Sequence, residues 1–264
     1  MVHASCPKCG HAPLPRDQAL PAACPACGLV LAKHGTVPVG VSPSFARAEA
    51  TSDAESGTKL EWLAAWLFYL PDKVSKTTWG ARVATFAVLT PWTLWIWADV
   101  DIRGGQAGSN FLHSILLPFH EAGHYAIFRW FGDFIMTLGG SLGQLLMPIV
   151  LSGALLIQRR DPFGAALFFW LLGFSTLDMA VYMYDAFDPK LVLLGGATGA
   201  ESDGHDWQNT FGDLGLLRKA KGIGLFVGAV GMAMMLAALA WAAWVLRLQR
   251  ARLSDDAFAQ SRGE

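Results

Sequence analysis

The chain has 264 residues, of which 53% are hydrophobic and only 16% are charged, and its formal net charge is −1. A soluble domain carries about 25% charged residues, so this composition excludes an ordinary soluble protein and indicates a membrane protein. The near-zero net charge gives no support for nucleic-acid binding, which depends on a cationic surface. The first residues lack a basic start followed by an apolar run, so no cleavable signal peptide is expected.

All four cysteines lie near the start of the chain, in two C-P-x-C-G pairs, Cys6 with Cys9 and Cys24 with Cys27. Two such turns are typical of a zinc ribbon, in which each turn presents two thiolates to one tetrahedral Zn²⁺ ion. The alternative is a pair of disulfides or a redox pair. Residues 1–32 are predicted to be a ribbon that folds only with metal, because so short a segment has little core. Thiolate ligands favour a reducing compartment, so the ribbon is expected in the cytoplasm, where it would bind a partner protein.

Two segments connect the ribbon to the rest of the chain. Residues 33–58 are rich in Ala, Ser, Pro and Gly with scattered charge, which is the composition of a flexible linker. Residues 59–76 contain an apolar, Trp-bearing run at 60–70 that is too short to span a bilayer. We therefore predict an interfacial helix there, ended by Pro71.

Residues 77–250 are predicted to form a transmembrane core, followed by a polar tail at 251–264. Spanning length is about 20 residues, and five segments approach or exceed it, at 80–99, 111–131, 138–157, 162–185 and 222–246. The predicted fold is an all-α polytopic membrane protein of about five transmembrane helices with a small N-terminal zinc ribbon. An odd number of spans places the two ends of the chain on opposite sides. Lys and Arg are almost evenly divided between those sides, so charge does not settle the orientation. The thiolate ligands of the predicted ribbon favour a reducing compartment, so a cytoplasmic N-terminus is expected.

The second predicted span carries an H-E-x-x-H motif at residues 120–124. On a helix, His120 and His124 project from one face, so both imidazoles can bind one zinc ion. Glu121 can then act as a general base toward water. A charged side chain near mid-membrane costs about 2–3 kcal/mol, and a bound metal offsets that cost. The alternative is two histidines that form hydrogen bonds inside a helix bundle.

Two histidines and a water leave one protein ligand of a catalytic zinc site unassigned. His205, which follows a glycine-rich loop, ranks first as the third ligand, Asp185 ranks second and Asp178 ranks third. The two aspartates are seven residues apart and share one face of the fourth span. Asp206 is expected to orient an imidazole without binding the metal itself.

Two other polar residues lie in the predicted spans. His113 precedes His120 by two helical turns, but Pro118 bends the helix between them, so a packing or snorkelling role is expected for His113. Gln144 in the third span either bonds to substrate backbone or bridges helices, and the sequence does not separate these roles.

The run Phe119-His-Glu-Ala-Gly-His124 within a membrane helix, followed by a Gly-rich helix, resembles the site-two protease class of intramembrane zinc metalloproteases. The resemblance covers roughly residues 111–207. It implies zinc at His120 and His124, Glu121 as the catalytic base, and hydrolysis of a membrane protein or peptide in or beside the lipid bilayer. That class usually takes its third ligand from an N-P-x-x-x-L-D-G-like motif, whereas Ser175-Thr-Leu-Asp178 here lacks the Asn-Pro and the Gly. The segment His205-Asp206-Trp207 looks more like bacterial membrane proteins that share H-E-x-G-H and H-D-W.

Three classes of function follow from these patterns. The favoured expectation is a zinc-dependent intramembrane endopeptidase in a bacterial inner membrane. A non-catalytic membrane scaffold or metal-handling protein, with a structural metal at the same histidines, is the alternative; such a site has four protein ligands. A transporter is weaker, because the chain shows no internal repeat.

Overall fold

The computed structural model describes residues 4–6, 8–12, 14, 22–27, 29, 64–105 and 111–254. The chain divides into two compact units, Met1–Thr58 and Lys59–Glu264. The predicted linker at 33–58 lies outside the described residues, as does the polar tail from residue 255. Of the predicted interfacial helix, the structure describes residues 64–76 and shows a helical turn at 64–67.

The larger unit is mostly helical, as the sequence predicted. Its α-helices are α1 (Lys76–Asp99), α2 (Phe111–Ala122), α3 (Asp133–Ile157), α4 (Pro162–Asp185), α5 (Asp206–Asp213) and α6 (Ala220–Arg250). Helix α2 continues as a π-helical segment, Gly123–Phe128, and a 3₁₀ turn, Arg129–Phe131. Two short strands, β1 (Val74–Ser75) and β2 (Leu253–Ser254), flank the set of helices.

Three helices of the described chain are long and apolar enough to cross a membrane, at Asp133–Ile157, Pro162–Asp185 and Leu217–Arg250. They correspond to the third, fourth and fifth predicted spans, so membrane-type helices are confirmed at those places. The first and second predicted spans do not meet the same criterion. Helix α1 has the length, but its apolar run is diluted by Trp, Thr and Arg82, and α2 has only 12 residues.

Helix α4 is the centre of the helical unit. Its apolar stretch is 61% buried, against 28% in each of the other two long helices. It packs closely on α6, where a side chain at Gly173 would meet the carbonyl oxygen of Gly231 and one at Gly224 would meet the backbone of Tyr184. Small residues let membrane helices approach in this way, as the sequence indicated for α6.

The start of α1 and the end of α6 lie side by side. Strand β1 pairs in parallel with β2, Val74 opposite Leu253, and the Arg252 guanidinium donates to the carbonyl of Leu70. We call this end of the unit, with β1 and β2, the strand end. Five spans would place these two points at opposite ends of the helical unit; the described residues confirm three membrane-type helices and do not confirm five.

The second predicted span accounts for the difference. Gly105, which precedes α2, packs on Leu191, which follows α4, so the chain has already reached the end opposite to the strands. We call this opposite end the loop end. Leu112 and Leu116 of α2 then pack around Phe174, at the middle of α4. Helix α2 therefore starts inside the unit and returns to the loop end without crossing it.

Candidate metal centres

The four cysteines of the smaller unit come together, as the two C-P-x-C-G turns predicted. The sulfur of Cys6 lies 3.6 Å from that of Cys27, and the sulfur of Cys9 lies 3.8 Å from that of Cys24. All four sulfurs lie within 4.8 Å of one another, and none is in a disulfide. Zinc–sulfur bonds of about 2.3 Å place tetrahedral sulfurs about 3.8 Å apart, so the cluster has the size of a four-thiolate metal site.

The turn geometry explains how the sulfurs are gathered. The amide of Gly10 donates to the carbonyl of Cys6 at 2.8 Å, and Gly10 has a φ of +73°, a conformation that favours glycine. Burial raises the pKa of Cys6, but hydrogen bonds from the backbone amides of Cys9 and Lys8 outweigh burial and bring that pKa to about 6. The backbone of His11 lowers the pKa of Cys9, yet the neighbouring sulfurs raise it to about 12. Four thiolates this close repel one another, and a bound cation removes that repulsion.

The second cluster joins the two motif histidines to Asp206. The Oδ2 atom of Asp206 lies 3.0 Å from Nε2 of His120 and 3.2 Å from Nε2 of His124. One donor atom from each of the three residues lies within 4.8 Å of the others. These separations suit a metal bound at about 2.0–2.2 Å by nitrogen and oxygen. The three side chains can therefore hold one divalent cation.

Each imidazole is oriented by a hydrogen bond on its other nitrogen. Nδ1 of His120 donates to Oε1 of Gln144 at 2.9 Å, and Nδ1 of His124 donates to the carbonyl of Met136 at 2.7 Å. The Gln144 amide donates in turn to Ser175 on α4. Both rings therefore direct Nε2 toward Asp206 and the cluster, so Nε2 is the atom that would bind a metal. Gln144 bridges helices, which is one of the two roles that its sequence context allowed.

Glycines on α3 make room for the histidines. A side chain at Gly140 would overlap Nε2 of both His120 and His124, and one at Gly143 would overlap the carbonyl of Phe119. A side chain at Gly123, where the π-helical segment begins, would overlap the carbonyl of Gly139. The rings of the two histidines consequently lie directly over α3, with their centroids 4.8 Å apart.

The loop after α4 carries Asp206 to the histidines. The Asp206 amide donates to the Tyr182 hydroxyl at 3.0 Å, and the indole of Trp207 donates to Ser141 on α3. Burial raises the pKa of Asp206, but hydrogen bonds to His120 and His124 outweigh burial and hold this pKa below its ordinary value. Asp206 therefore faces the histidines as an ionised carboxylate.

His205 and Asp185, the first and second candidates for the third ligand position, form a hydrogen bond with each other. Nε2 of His205 donates to Oδ2 of Asp185 at 3.2 Å, while Nδ1 of His205 accepts from the amide of Gln208 and caps α5. Asp185 also accepts from the amides of Lys190 and Leu191. The structure therefore brings Asp206, rather than His205 or Asp185, to the two motif histidines.

Asp178, ranked third, is also engaged elsewhere. Its Oδ1 atom lies 2.9 Å from Nδ1 of His113. His113 thus pairs with the buried Asp178 and is itself only partly buried, and Pro118 does not turn it away from the side of α2 that carries His120. In the sequence, the adjacent His205 and Asp206 indicated where a third candidate ligand would lie. Only the structure separates the two, because the His205 ring caps α5 and Asp206 faces the motif histidines.

A cavity of about 850 Å³ adjoins the His120–His124–Asp206 cluster. All three members line it, as does Glu121, the residue after His120. Its other walls come from the start of α3, the last turns of α4 and the loop at 191–204. Ligand pockets are typically about 300–1,000 Å³, so the cavity is large enough to bring a substrate to the cluster.

Comparison of the chain with protein-family models, curated proteins and solved structures finds no match.

Proposed function

We propose that this protein is an intramembrane metal-dependent endopeptidase with zinc as its metal. The observation that carries the proposal is the joint lining of one cavity by His120, His124, Asp206 and Glu121. Three protein donors beside a substrate-sized cavity, with a carboxylate next to them, are the arrangement of a catalytic metal site.

Each residue has a defined part in the proposed reaction. When bound by His120, His124 and Asp206, zinc supplies Lewis acidity toward a peptide carbonyl and a water molecule. Glu121 takes a proton from the attacking water and later delivers it to the amine that leaves. Gln144 holds His120 in the tautomer that keeps Nε2 available. The net reaction adds one water across one peptide bond.

A non-catalytic structural metal site is the alternative function. A structural site is closed by four protein ligands, whereas a catalytic site has three and leaves a position for water. Among the described residues, the cluster contains His120, His124 and Asp206 as donors. This favours the peptidase, and it leaves the four-cysteine unit as the structural metal site, suited to binding a partner protein.

We further infer that α1 crosses the membrane together with α3, α4 and α6, giving four crossings. The strand end carries eight of the Lys and Arg residues, Lys73, Lys76, Arg82, Arg159, Arg160, Arg247, Arg250 and Arg252. The loop end carries six, Arg103, Arg129, Lys190, Arg218, Lys219 and Lys221. Because cytoplasmic loops carry the excess of Lys and Arg, the strand end faces the cytoplasm, consistent with the reducing compartment that the cysteines favour. In a bacterial inner membrane, the cavity would then lie nearer the outer face.

The proposal is tested with two variants that separate catalysis from metal binding. Glu121→Gln keeps the side-chain shape but cannot accept the proton, so cleavage should fall by about 10²–10⁴-fold with zinc content unchanged. His124→Ala removes a ligand and should lose both the zinc of the helical unit and the activity. The measurement is mass-spectrometric detection of new N-termini in membrane proteins of cells that express each variant, with metal analysis of the purified proteins.

Glu201→Gln is the matched control, because Glu201 is an exposed carboxylate that bonds to Thr198 and does not line the cavity. It should leave both cleavage and zinc unchanged. If cells with wild-type protein and cells with Glu121→Gln show the same N-termini while His124→Ala loses zinc, the metal is structural and the peptidase proposal fails.

A further inference from the structure

A second pair of ionisable side chains lines the cavity, outside the metal cluster. Oδ1 and Oδ2 of Asp178 lie 2.9 and 3.1 Å from Nδ1 of His113. The Asp178 side chain is 6% exposed, while that of His113 is 34% exposed, and both line the cavity. Nδ1 of His113 faces both carboxylate oxygens, so it is the atom that donates to Asp178. This leaves Nε2 as the ring atom that can bind something in the cavity.

The pair has no part in the reaction proposed above. Ionisable side chains inside a membrane protein are costly and usually mark a functional position, and replacing two hydrogen-bonded partners by apolar groups is often neutral for stability. Packing alone therefore gives little reason for His113 and Asp178 to face a cavity. A ligand with polar groups to satisfy does give such a reason.

The distance along α2 indicates what that ligand would be. His113 precedes His120 by seven residues, about 10.5 Å along a helix. An extended peptide covers about 3.3 Å per residue, so a chain held at the metal cluster reaches His113 with its third residue. A peptide unwound within a membrane exposes N–H and C=O groups that must find partners. Of the lining residues next along these two helices, Leu117 and Met179 offer no strong hydrogen-bonding group, whereas Ser114 offers one hydroxyl.

We propose that His113, held by Asp178, is a subsite that hydrogen-bonds the backbone of an extended peptide about three residues from the bond that is cut. The inference rests on the proposed peptidase function and adds its substrate requirement: an unwound segment that extends from the metal cluster toward the middle of α4. His113 is a specificity-determining residue in this role, and Asp178 is a positioning residue that fixes its ring.

The test measures binding rather than cleavage. Peptide hydroxamates of one to five residues, built in both chain directions from the chelating group, are titrated calorimetrically against the zinc-loaded full-length protein in detergent micelles. For the wild type, affinity should rise about tenfold when the third residue is added, as expected for one hydrogen bond to a charged group. Replacing the amide of that residue by an ester, or methylating its nitrogen, should remove the gain in at least one direction.

The variant His113→Phe/Asp178→Leu removes both partners, so no buried charge is left unpaired. For this variant, adding the third peptide residue should raise the affinity by less than about twofold. The one-residue hydroxamate should bind to it as tightly as to the wild type. Ser114→Ala, a change at the next residue of α2 that also lines the cavity, should keep the full gain. If the double variant fails to hold zinc, His113→Phe alone is judged by the same criterion.

The two proposals fail in different ways. An undiminished gain in the His113 variants overturns the subsite and leaves the metal centre standing. A one-residue hydroxamate that does not bind the zinc-loaded wild type overturns the catalytic metal site, and the subsite with it.

Discussion

At the scale of single residues, the chemistry of the helical unit depends on which of two adjacent side chains reaches the histidines. His205 is the N-cap of α5 and its ring accepts from the Gln208 amide, so it is turned back onto its own helix. Asp206 is the first residue of that helix, and its carboxylate points to His120 and His124. A change of one position along the chain thus separates a candidate metal ligand from a residue that orders the loop.

Asp206→Ala should abolish high-affinity metal binding by the helical unit, because it removes one of three donors from the cluster. Asp203→Ala, an acidic-to-alanine change on the same loop, should leave metal binding within about twofold of wild type, since an exposed surface substitution usually has little effect. Metal analysis after dialysis against a weak chelator measures both. Retention of the metal by Asp206→Ala would show that the third donor is another residue.

His205→Gln should weaken metal binding by about 10–100-fold, because His205 holds the loop through Asp185 and acts on the site only indirectly. The measurement is a competition titration with a fluorescent zinc chelator. A complete loss of metal in His205→Gln, together with normal binding in Asp206→Ala, would reverse the assignment of the two residues.

At the scale of elements, the metal cluster depends on how closely α2 and its π-helical segment lie against α3. Three glycines of α3, Gly139, Gly140 and Gly143, face this contact, where added side chains would meet the backbone or the imidazoles of the motif. The π-helical segment begins at Gly123, between the two histidines. Such segments are frequent at functional sites because they re-aim side chains locally. The close contact therefore sets the direction in which both rings point.

Gly140→Ala should displace the rings of His120 and His124, with loss of the metal and destabilisation of about 1–3 kcal/mol, the usual cost of overpacking. Gly153→Ala is the matched control, because an added side chain there would meet nothing within 4 Å on the same helix. Metal content and thermal unfolding in micelles measure the difference. Equal metal content in the two variants would mean that the rings are not fixed by the approach of α3.

At the scale of the whole molecule, the pairing of β1 with β2 brings the start of α1 and the end of α6 to the same end of the helical unit. Reporter domains inserted after Pro71 and after Ser254 should therefore be found on the same side of the membrane, because Val74 and Leu253 are paired. Protease protection in right-side-out vesicles, with alkaline phosphatase or a fluorescent protein as reporter, makes the measurement. Reporters on opposite sides would rule out the four-crossing arrangement.

The division of the chain into two units predicts two independent metal sites. The purified protein should contain two zinc ions, and Cys6→Ser with Cys9→Ser should remove one and leave the helical unit folded, because each unit has its own donor set. His124→Ala should remove the other zinc. Metal analysis with thermal unfolding of each variant provides the check, and a single zinc in the wild type would contradict the prediction.

The sequence by itself determined the features that depend on local spacing. Two C-P-x-C-G turns predicted the four-cysteine cluster, and hydropathy predicted the helix Pro162–Asp185 to the residue. The spacing of His120 and His124 predicted that they would share one face, because four residues are about one helical turn. Each of these signals is complete within a short stretch of chain.

Only the tertiary structure decided what depends on contacts between distant segments. The run at 111–131 has the length of a membrane span, but in the structure it packs around Phe174 and against α3 and returns to the loop end of the helical unit. The choice of Asp206 over His205 likewise depended on a hydrogen bond from Gln208 and on where the loop meets α2. Hydropathy reports the preference of a segment for an apolar surrounding and contains no information on whether lipid or protein provides it. For this reason, the sequence located the motif and the candidate ligands, but not the path of the chain through the helical unit or the set of side chains that meets at the two motif histidines.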